Sequence, residues 1–281
     1  MGILLDGKGL AEERRAELST RVAAFVDEYG RAPCLSVVLV GDDSASALYV
    51  RNKVRMAEKV GMLSRVEHLP ADASQEEVLN TVEELNGSTD VDGLIVQLPL
   101  PKGLDPEGII ARISPSKDVD GLTPVSLGRI VRGLDGSRPC TPKGVLTLLE
   151  HYGINCAGKK AAVVGRSALV GKPMALMLAQ EDATVTLCHS KTRDLGNILK
   201  DADIVVAAIG RPAFLQPDSF KPGAVVVDVG INRIDDRWVG DVSVDGLSEV
   251  ASAWTPVPGG VGPMTVISLL ENTVLLAEDK K

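Results

Sequence analysis

The chain has 281 residues, 44% hydrophobic and 24% charged, the profile of a globular protein large enough for two cores. Its formal charge of −8 excludes a general nucleic-acid surface, so an anionic ligand must be held by local cations and backbone N–H groups. No apolar run approaches the ~20 residues of a membrane span, and the start lacks the charged lead and long apolar core of a signal peptide.

In chain order, periodicity predicts helix over Leu10–Tyr29, strand over Leu35–Val40, helix over Ser44–Val60 and strand over Arg65–Leu69. Helix Ser74–Leu85 follows, opened by the capping box Ser74/Glu77, then strand Gly93–Leu98 and helix Pro106–Arg112, capped by Asp105. Pro115–Pro124 and Asp135–Pro142 read as crossings, with Thr141-Pro142 capping helix Lys143–His151. Strands Ala161–Val164, Val185–Cys188, Ile204–Ile209 and Ala224–Val229 follow, with helices starting near Pro173 and Asp194 and a last helix over Pro263–Glu278. Such alternation predicts α/β architecture with parallel sheets. Cys34, Cys140, Cys156 and Cys188 form no Cys-x-x-Cys pair and the three histidines are scattered, so neither a metal site nor a disulfide framework is expected, in keeping with a cytoplasmic protein.

The run Ala161–Pro173 carries the most chemistry. A β-branched strand enters a glycine turn, Gly165-Arg166-Ser167, that opens into a helix, the arrangement that sets a helix N-terminus against a phosphate. Pro173 suits the first helical position, where no N–H is needed. The spacing departs from Gly-x-Gly-x-x-Gly: Ser167 replaces the second glycine and Gly171 comes one residue late. The next strand ends in His189-Ser190-Lys191-Thr192, with no carboxylate before Asp194 to accept from a ribose 2′-hydroxyl. The Ser190 hydroxyl and the Lys191 cation stand in its place and Arg166, in the glycine turn, can reach the same end, which favours a 2′-phosphate, hence NADP, against the alternative that Arg166 and Lys191 are ordinary solvated charges.

Aromatic residues are 3% of the chain, which makes Tyr49 informative. Tyr49 and Lys53 share one face of the helix that begins past the carboxyl end of strand Leu35–Val40, where open α/β sheets bind ligands. Lys53 is a candidate acid/base and Tyr49 a platform for an aromatic substrate; a surface tyrosine and a solvated lysine is the competing reading. Gln97 ends an apolar strand, where its amide can orient a lysine or satisfy local backbone. In Ser116–Gly121, Asp118 suits a turn cap and Asp120 a donor-rich ring. Pro256–Thr265, including Pro258, Gly259 and Gly260, reads equally as a hinge or as a loop open to close ligand approach.

Together these segments resemble the bifunctional methylenetetrahydrofolate dehydrogenase/methenyltetrahydrofolate cyclohydrolase family. The resemblance runs from Val40–Ser46 with Tyr49 and Lys53, through Val96–Pro101, Lys117–Gly121, Pro139–Gly144, Gly165–Ser167, His189–Thr192 and Asp228–Asn232, to the Pro256–Thr265 loop. It implies two α/β domains with a cleft between them, the second Rossmann-like. Residues 1–120 would bind folate, 121–140 cross over, 141–262 bind NADP, and helix 263–281 pack back on the first domain. It further implies catalytic and substrate roles for Lys53, Tyr49, Gln97 and Asp120, folate lining by Pro258, Gly259 and Gly260, and NADP binding by Gly165, Arg166, Ser167, Ser190 and the Ile231 backbone. A cytoplasmic homodimer acting on tetrahydrofolate derivatives in one-carbon metabolism and purine biosynthesis is expected, with no nucleic-acid or membrane partner. A dehydrogenase without cyclohydrolase, a non-catalytic binding protein and an unrelated NADP oxidoreductase are the alternatives.

Overall fold

The computed structural model describes residues 2–235 and 237–280. It divides into two compact units, one of Met1–Glu12 with Thr141–Thr265, the other of Glu13–Cys140 with Val266–Lys281.

The Glu13–Cys140 unit is built on three parallel strands in the order Leu63–Leu69, Cys34–Val40, Gly93–Val96. All seven residues of the central strand are buried. Val38, Val40, Leu94 and Val96 meet Val78, Val82 and Ile109 of the flanking helices in one core. Each such side chain, fully buried, is worth roughly 1.5–3 kcal/mol. The chain leaves the central strand for one neighbour and later returns to its other side, so the carboxyl ends of Cys34–Val40 and Gly93–Val96 frame a switch point, where sheets of this kind bind ligands.

Helix Ser44–Lys59 starts there, its N-terminus capped by Asp43, which accepts from Ser46 N–H at 2.7 Å. The capping box at Ser74/Glu77 and the Asp105 cap before Pro106 both form. Asp92, fully buried, accepts from Arg31 at 2.6 and 2.9 Å, Cys34 N–H at 3.0 Å and Lys280 at 3.2 Å. Asn272, in the final helix Val261–Glu278, donates to the carbonyls of Val119 and Arg138 at 2.8 and 2.9 Å. Within 121–140, read from sequence as a crossing, lies helix Pro124–Val131, capped by Thr123. Its eight residues are too few to display a periodicity.

The other unit carries six parallel strands in the order Ile3–Leu4, Ala253–Trp254, Val225–Asp228, Ile204–Ala207, Lys160–Val164, Thr184–Cys188. Ile3–Leu4 thus belongs to this sheet, although the helix that follows it in sequence runs on into the other unit. From Lys160–Val164 the chain goes first to Thr184–Cys188 on one side and then to Ile204–Ala207 on the other, so this sheet too has a switch point. A hairpin, Asn232–Ile234 with Arg237–Val239, carries Trp238. The helix after the glycine turn is Gly171–Gln180, so Pro173 stands third rather than first. Its missing N–H still costs nothing there, because the first four amides of a helix have no intrahelical acceptor.

Candidate functional site

Two clusters of polar groups lie at the two switch points, one in each unit.

In the Glu13–Cys140 unit, Tyr49 is 40% exposed and Lys53, one turn on, is half-buried. Lys53 Nζ donates to Gln97 Oε1 at 2.9 Å. Gln97 stands one residue past its strand, but its N–H still donates to Val38 O at 2.8 Å, which keeps the residue in the ladder. Its Nε2 donates to Leu98 O at 2.6 Å, so the amide oxygen is the atom left to face the lysine. The two aspartates of the following loop divide their tasks. Asp118 is fully buried and accepts from Leu122 and Thr123 N–H at 3.2 and 2.8 Å, closing the turn before helix Pro124–Val131. Asp120 is half-buried. Burial pushes its carboxyl above the usual range and Asp118 adds to this, while the Lys53 charge and a hydrogen bond from Cys140 pull it back. Gly121 beside it has φ +68°, and a Cβ there would stand 2.5 Å from the Arg138 carbonyl carbon. The structure therefore brings Lys53, Gln97 and Asp120 into one electrostatic neighbourhood.

In the second unit, Gly165 ends the strand with φ +128°, and a Cβ there would stand 1.9 Å from Ala208 O, at the end of the adjacent strand. Gly171 is as tightly placed, 2.0 Å from Gly165 O. Ser167 Oγ accepts from Val170 and Gly171 N–H at 3.1 and 3.4 Å, which shapes the turn into the helix. Arg166, Ser167 and Ser190 are exposed. Ser190 lies in a turn closed by His189 N–H on Thr192 Oγ1 at 2.8 Å. Asp194, the nearest carboxylate in sequence, accepts from Asn197 Nδ2 at 2.6 Å within its own helix. Ile231, 46% exposed, follows Gly230 at the end of strand Val225–Asp228. The loop of Pro258, Gly259 and Gly260 is held by Lys8 N–H on Gly259 O at 2.8 Å and by Gly260 N–H on Pro256 O at 2.9 Å.

Two residues that sequence reasoning gave no role anchor the loops that follow strands Ile204–Ala207 and Val225–Asp228. Asp241, fully buried, accepts from the N–H groups of Ile209, Gly210 and Arg211 at 2.6, 2.9 and 2.9 Å and from Asn232 Nδ2 at 3.0 Å. Asp228 accepts from Gly230, Asp241 and Val242 N–H at 2.9, 2.9 and 2.8 Å. Burial pushes Asp228 up to about 6, against the pull of these N–H groups and with the push of the Asp241 charge. The available signal was a carboxylate closing the apolar run Ala224–Val227. A cavity of about 400 Å³ beside Lys160, Thr184, Thr186 and Asn197 lies over the edge strand Thr184–Cys188 and its neighbour and is lined by none of the residues given catalytic or binding roles. Among the described residues, no group of three or more potential ligands could hold a metal ion.

Comparison with known proteins gives a concordant result. Residues 5–120 match the family model described as tetrahydrofolate dehydrogenase/cyclohydrolase, catalytic domain, and residues 139–281 match its NAD(P)-binding domain. The chain is 55% identical to "Bifunctional protein FolD" of Nitratidesulfovibrio vulgaris, over 97% of this chain and 96% of that protein. With the protein of the same name from Methanospirillum hungatei the identity is 51%, over 99% and 98%. Among solved structures, the bifunctional FolD methylenetetrahydrofolate dehydrogenase/cyclohydrolase of Campylobacter jejuni superposes with a TM-score of 0.98 at 44% identity, over 100% of both chains. The Trypanosoma brucei enzyme, complexed with NADP cofactor and an inhibitor, gives 0.96 at 38% identity, over 99% and 98%.

Proposed function

Since the chain belongs to the tetrahydrofolate dehydrogenase/cyclohydrolase family, we propose that it oxidises 5,10-methylenetetrahydrofolate with NADP⁺ and hydrolyses the resulting methenyl compound to 10-formyltetrahydrofolate. The observation that carries the hydrolytic half is the Lys53–Gln97 contact at 2.9 Å, with Asp120 in the same field.

The dinucleotide, when bound, supplies the hydride acceptor. The donor set fits it: exposed Arg166 and Ser190 supply a cation and a hydroxyl for a 2′-phosphate, and no carboxylate at that turn opposes one. Gly165 to Ser167 form the phosphate turn, and the backbone at Ile231 takes the nicotinamide side. In this step the protein's part is alignment and exclusion of water.

The second step needs protons moved as water adds to the methenyl carbon and a carbon–nitrogen bond opens. Lys53 moves them. Gln97 holds the lysine Nζ with its amide oxygen and is itself fixed through Leu98 O. Tyr49 lies flat against the aminobenzoyl ring, and Asp120 accepts from the pterin amino and ring N–H groups. The loop of Pro258, Gly259 and Gly260, nearly free of side chain, is suited to line a flat ligand, and we assign it to folate.

Residues 13–120 with the final helix Val261–Glu278 are assigned to folate and catalysis and 141–260 to NADP, with 121–140 joining them; Ile3–Leu4, expected with the folate part, belongs to the six-stranded sheet instead. A cytoplasmic homodimer serving one-carbon metabolism and purine biosynthesis completes the proposal; among the described residues no helix is long and apolar enough to cross a membrane. The test mixes purified protein with 5,10-methylenetetrahydrofolate and NADP⁺ and follows NADPH, methenyl and formyl products separately. NADPH with prompt 10-formyltetrahydrofolate supports both activities. Accumulating methenyl product removes the cyclohydrolase, and no reduction of NADP⁺ or NAD⁺ removes the proposal.

A further inference from the structure

We infer that Asp241 and Asp228 are positioning residues for the dinucleotide, locking the two loops at the carboxyl ends of strands Ile204–Ala207 and Val225–Asp228 into the shape that receives its nicotinamide end. The inference rests on the reading of this unit as the NADP-binding one.

Three successive amides, Ile209, Gly210 and Arg211, turn inward onto the Asp241 carboxylate, which also takes the Asn232 side chain. A run of backbone N–H groups converging in this way is an anion nest. Here the chain fills it with its own carboxylate. The same residue therefore fixes a loop on one strand and, through Asn232, the segment just past Ile231 on the next. Asp228 supplies the second half. It gathers Gly230 N–H just before Ile231 and the N–H groups of Asp241 and Val242 just past strand Arg237–Val239, so the backbone that carries the Asp241 carboxylate is held by Asp228.

The fit leaves no slack. A Cβ on Gly230 would stand 2.3 Å from the Asp241 carboxyl, and one on Gly240 would stand 1.9 Å from Asp228 Oδ2. Every donor is an N–H group, so an amide side chain in place of either carboxylate would turn one of its own N–H groups toward another. Two neighbouring buried carboxylates are a costly way to brace a loop, which points to the position of that loop as what they secure. The first braced loop begins at Ile209, next to Ala208, whose carbonyl abuts Gly165. The second contains Ile231. Both flank the proposed nicotinamide position, whereas Arg166 and Ser190, assigned to the adenosine end, make no part of the braced network.

The test uses Asp241→Asn and Asp228→Asn in the full chain, with the same two activities measured apart. KM for NADP⁺ is expected to rise at least tenfold in Asp241→Asn. Affinity for adenosine 2′,5′-bisphosphate, KM for the folate and hydrolysis of added methenyltetrahydrofolate are expected to stay within twofold of the parent. Asn232→Ala, which removes one donor and leaves both carboxylates, keeps the question open to measurement if the aspartate variants fail to fold, and should raise KM for NADP⁺ about threefold. An unchanged KM for NADP⁺ in the folded variants overturns the inference. So does a parallel fall of hydrolysis and dehydrogenation, which marks a merely structural role. If the parent chain itself reduces no NADP⁺, the failure lies in the functional reading and not in the bracing.

Discussion

Replacing Lys53 by Met keeps the bulk of the side chain and removes its charge and its proton. A positioned acid/base group contributes typically 10²–10⁴-fold, so hydrolysis of methenyltetrahydrofolate should fall by about that factor. The cost to the fold is smaller. Gln97 is buried, and losing the 2.9 Å hydrogen bond leaves its amide oxygen without that donor, about 1–3 kcal/mol. Set against the roughly 5–15 kcal/mol of a typical domain, this leaves a folded protein, its midpoint of unfolding lowered by several degrees. A second effect reaches the substrate. With Lys53 gone, burial and Asp118 act on the Asp120 carboxyl without the opposing lysine charge, so Asp120 takes up a proton more readily. KM for the folate should rise while hydride transfer, which needs no proton from Lys53, continues at a reduced rate. Stopped assays that resolve NADPH, methenyl and formyl products give the answer directly. Equal and complete loss of both activities in a folded variant would refute proton transfer by Lys53 and make it a substrate-holding group.

Gly165→Ala should abolish dehydrogenase activity and NADP⁺ binding by calorimetry while hydrolysis persists. Its Cβ would meet Ala208 O at 1.9 Å, and φ of +128° adds strain of about 1–3 kcal/mol. Ser190→Asp introduces the missing carboxylate, which repels a 2′-phosphate and accepts from a 2′-hydroxyl; the ratio of kcat/KM for NADP⁺ to that for NAD⁺ should fall about tenfold, or ~1.4 kcal/mol. Asp92→Ala leaves the Cys34 N–H without its acceptor and the partly exposed Arg31 and Lys280 without their partner, and should cost about 1–3 kcal/mol in urea unfolding, with no change in cofactor preference. Burial would raise the Asp92 carboxyl, but Arg31, Cys34 N–H and Lys280 outweigh it and hold it below its ordinary 3.8. Its stabilising contribution is thus fully present above that value and is lost as pH falls through the lower folded-state pKa, so the stability difference between parent and variant should shrink only in strong acid.

The elements legible in the sequence were those long enough to show a period or marked by a cap. Ser74/Glu77 and Asp105-Pro106 announced their helices, and the β-branched runs around Val37 and Val163 their strands. Strands Ile3–Leu4 and Ala253–Trp254, two residues each, exist because neighbours offer them hydrogen bonds, and no local pattern encodes that. The polar clusters follow the same division. Lys53 and Gln97 lie 44 positions apart, yet each sits at an element end that α/β topology brings to one place, so their contact could be anticipated. The turn cap expected of Asp118 is there, since the amides of Leu122 and Thr123 claim its carboxylate. Asp241 gave no signal at all, since its partners at 209–211 and 232 converge only in the folded sheet.

Both tryptophans of the chain, Trp238 in the hairpin and Trp254 in the six-stranded sheet, fall within Thr141–Thr265. Intrinsic tryptophan emission therefore watches only one half of the molecule. A change in that emission on titration with the dinucleotide reports binding to the unit that carries both tryptophans. The same asymmetry splits a denaturation experiment: emission traces the melting of the six-stranded sheet alone, far-ultraviolet dichroism traces both units, and any gap between the two curves measures how far the halves unfold independently.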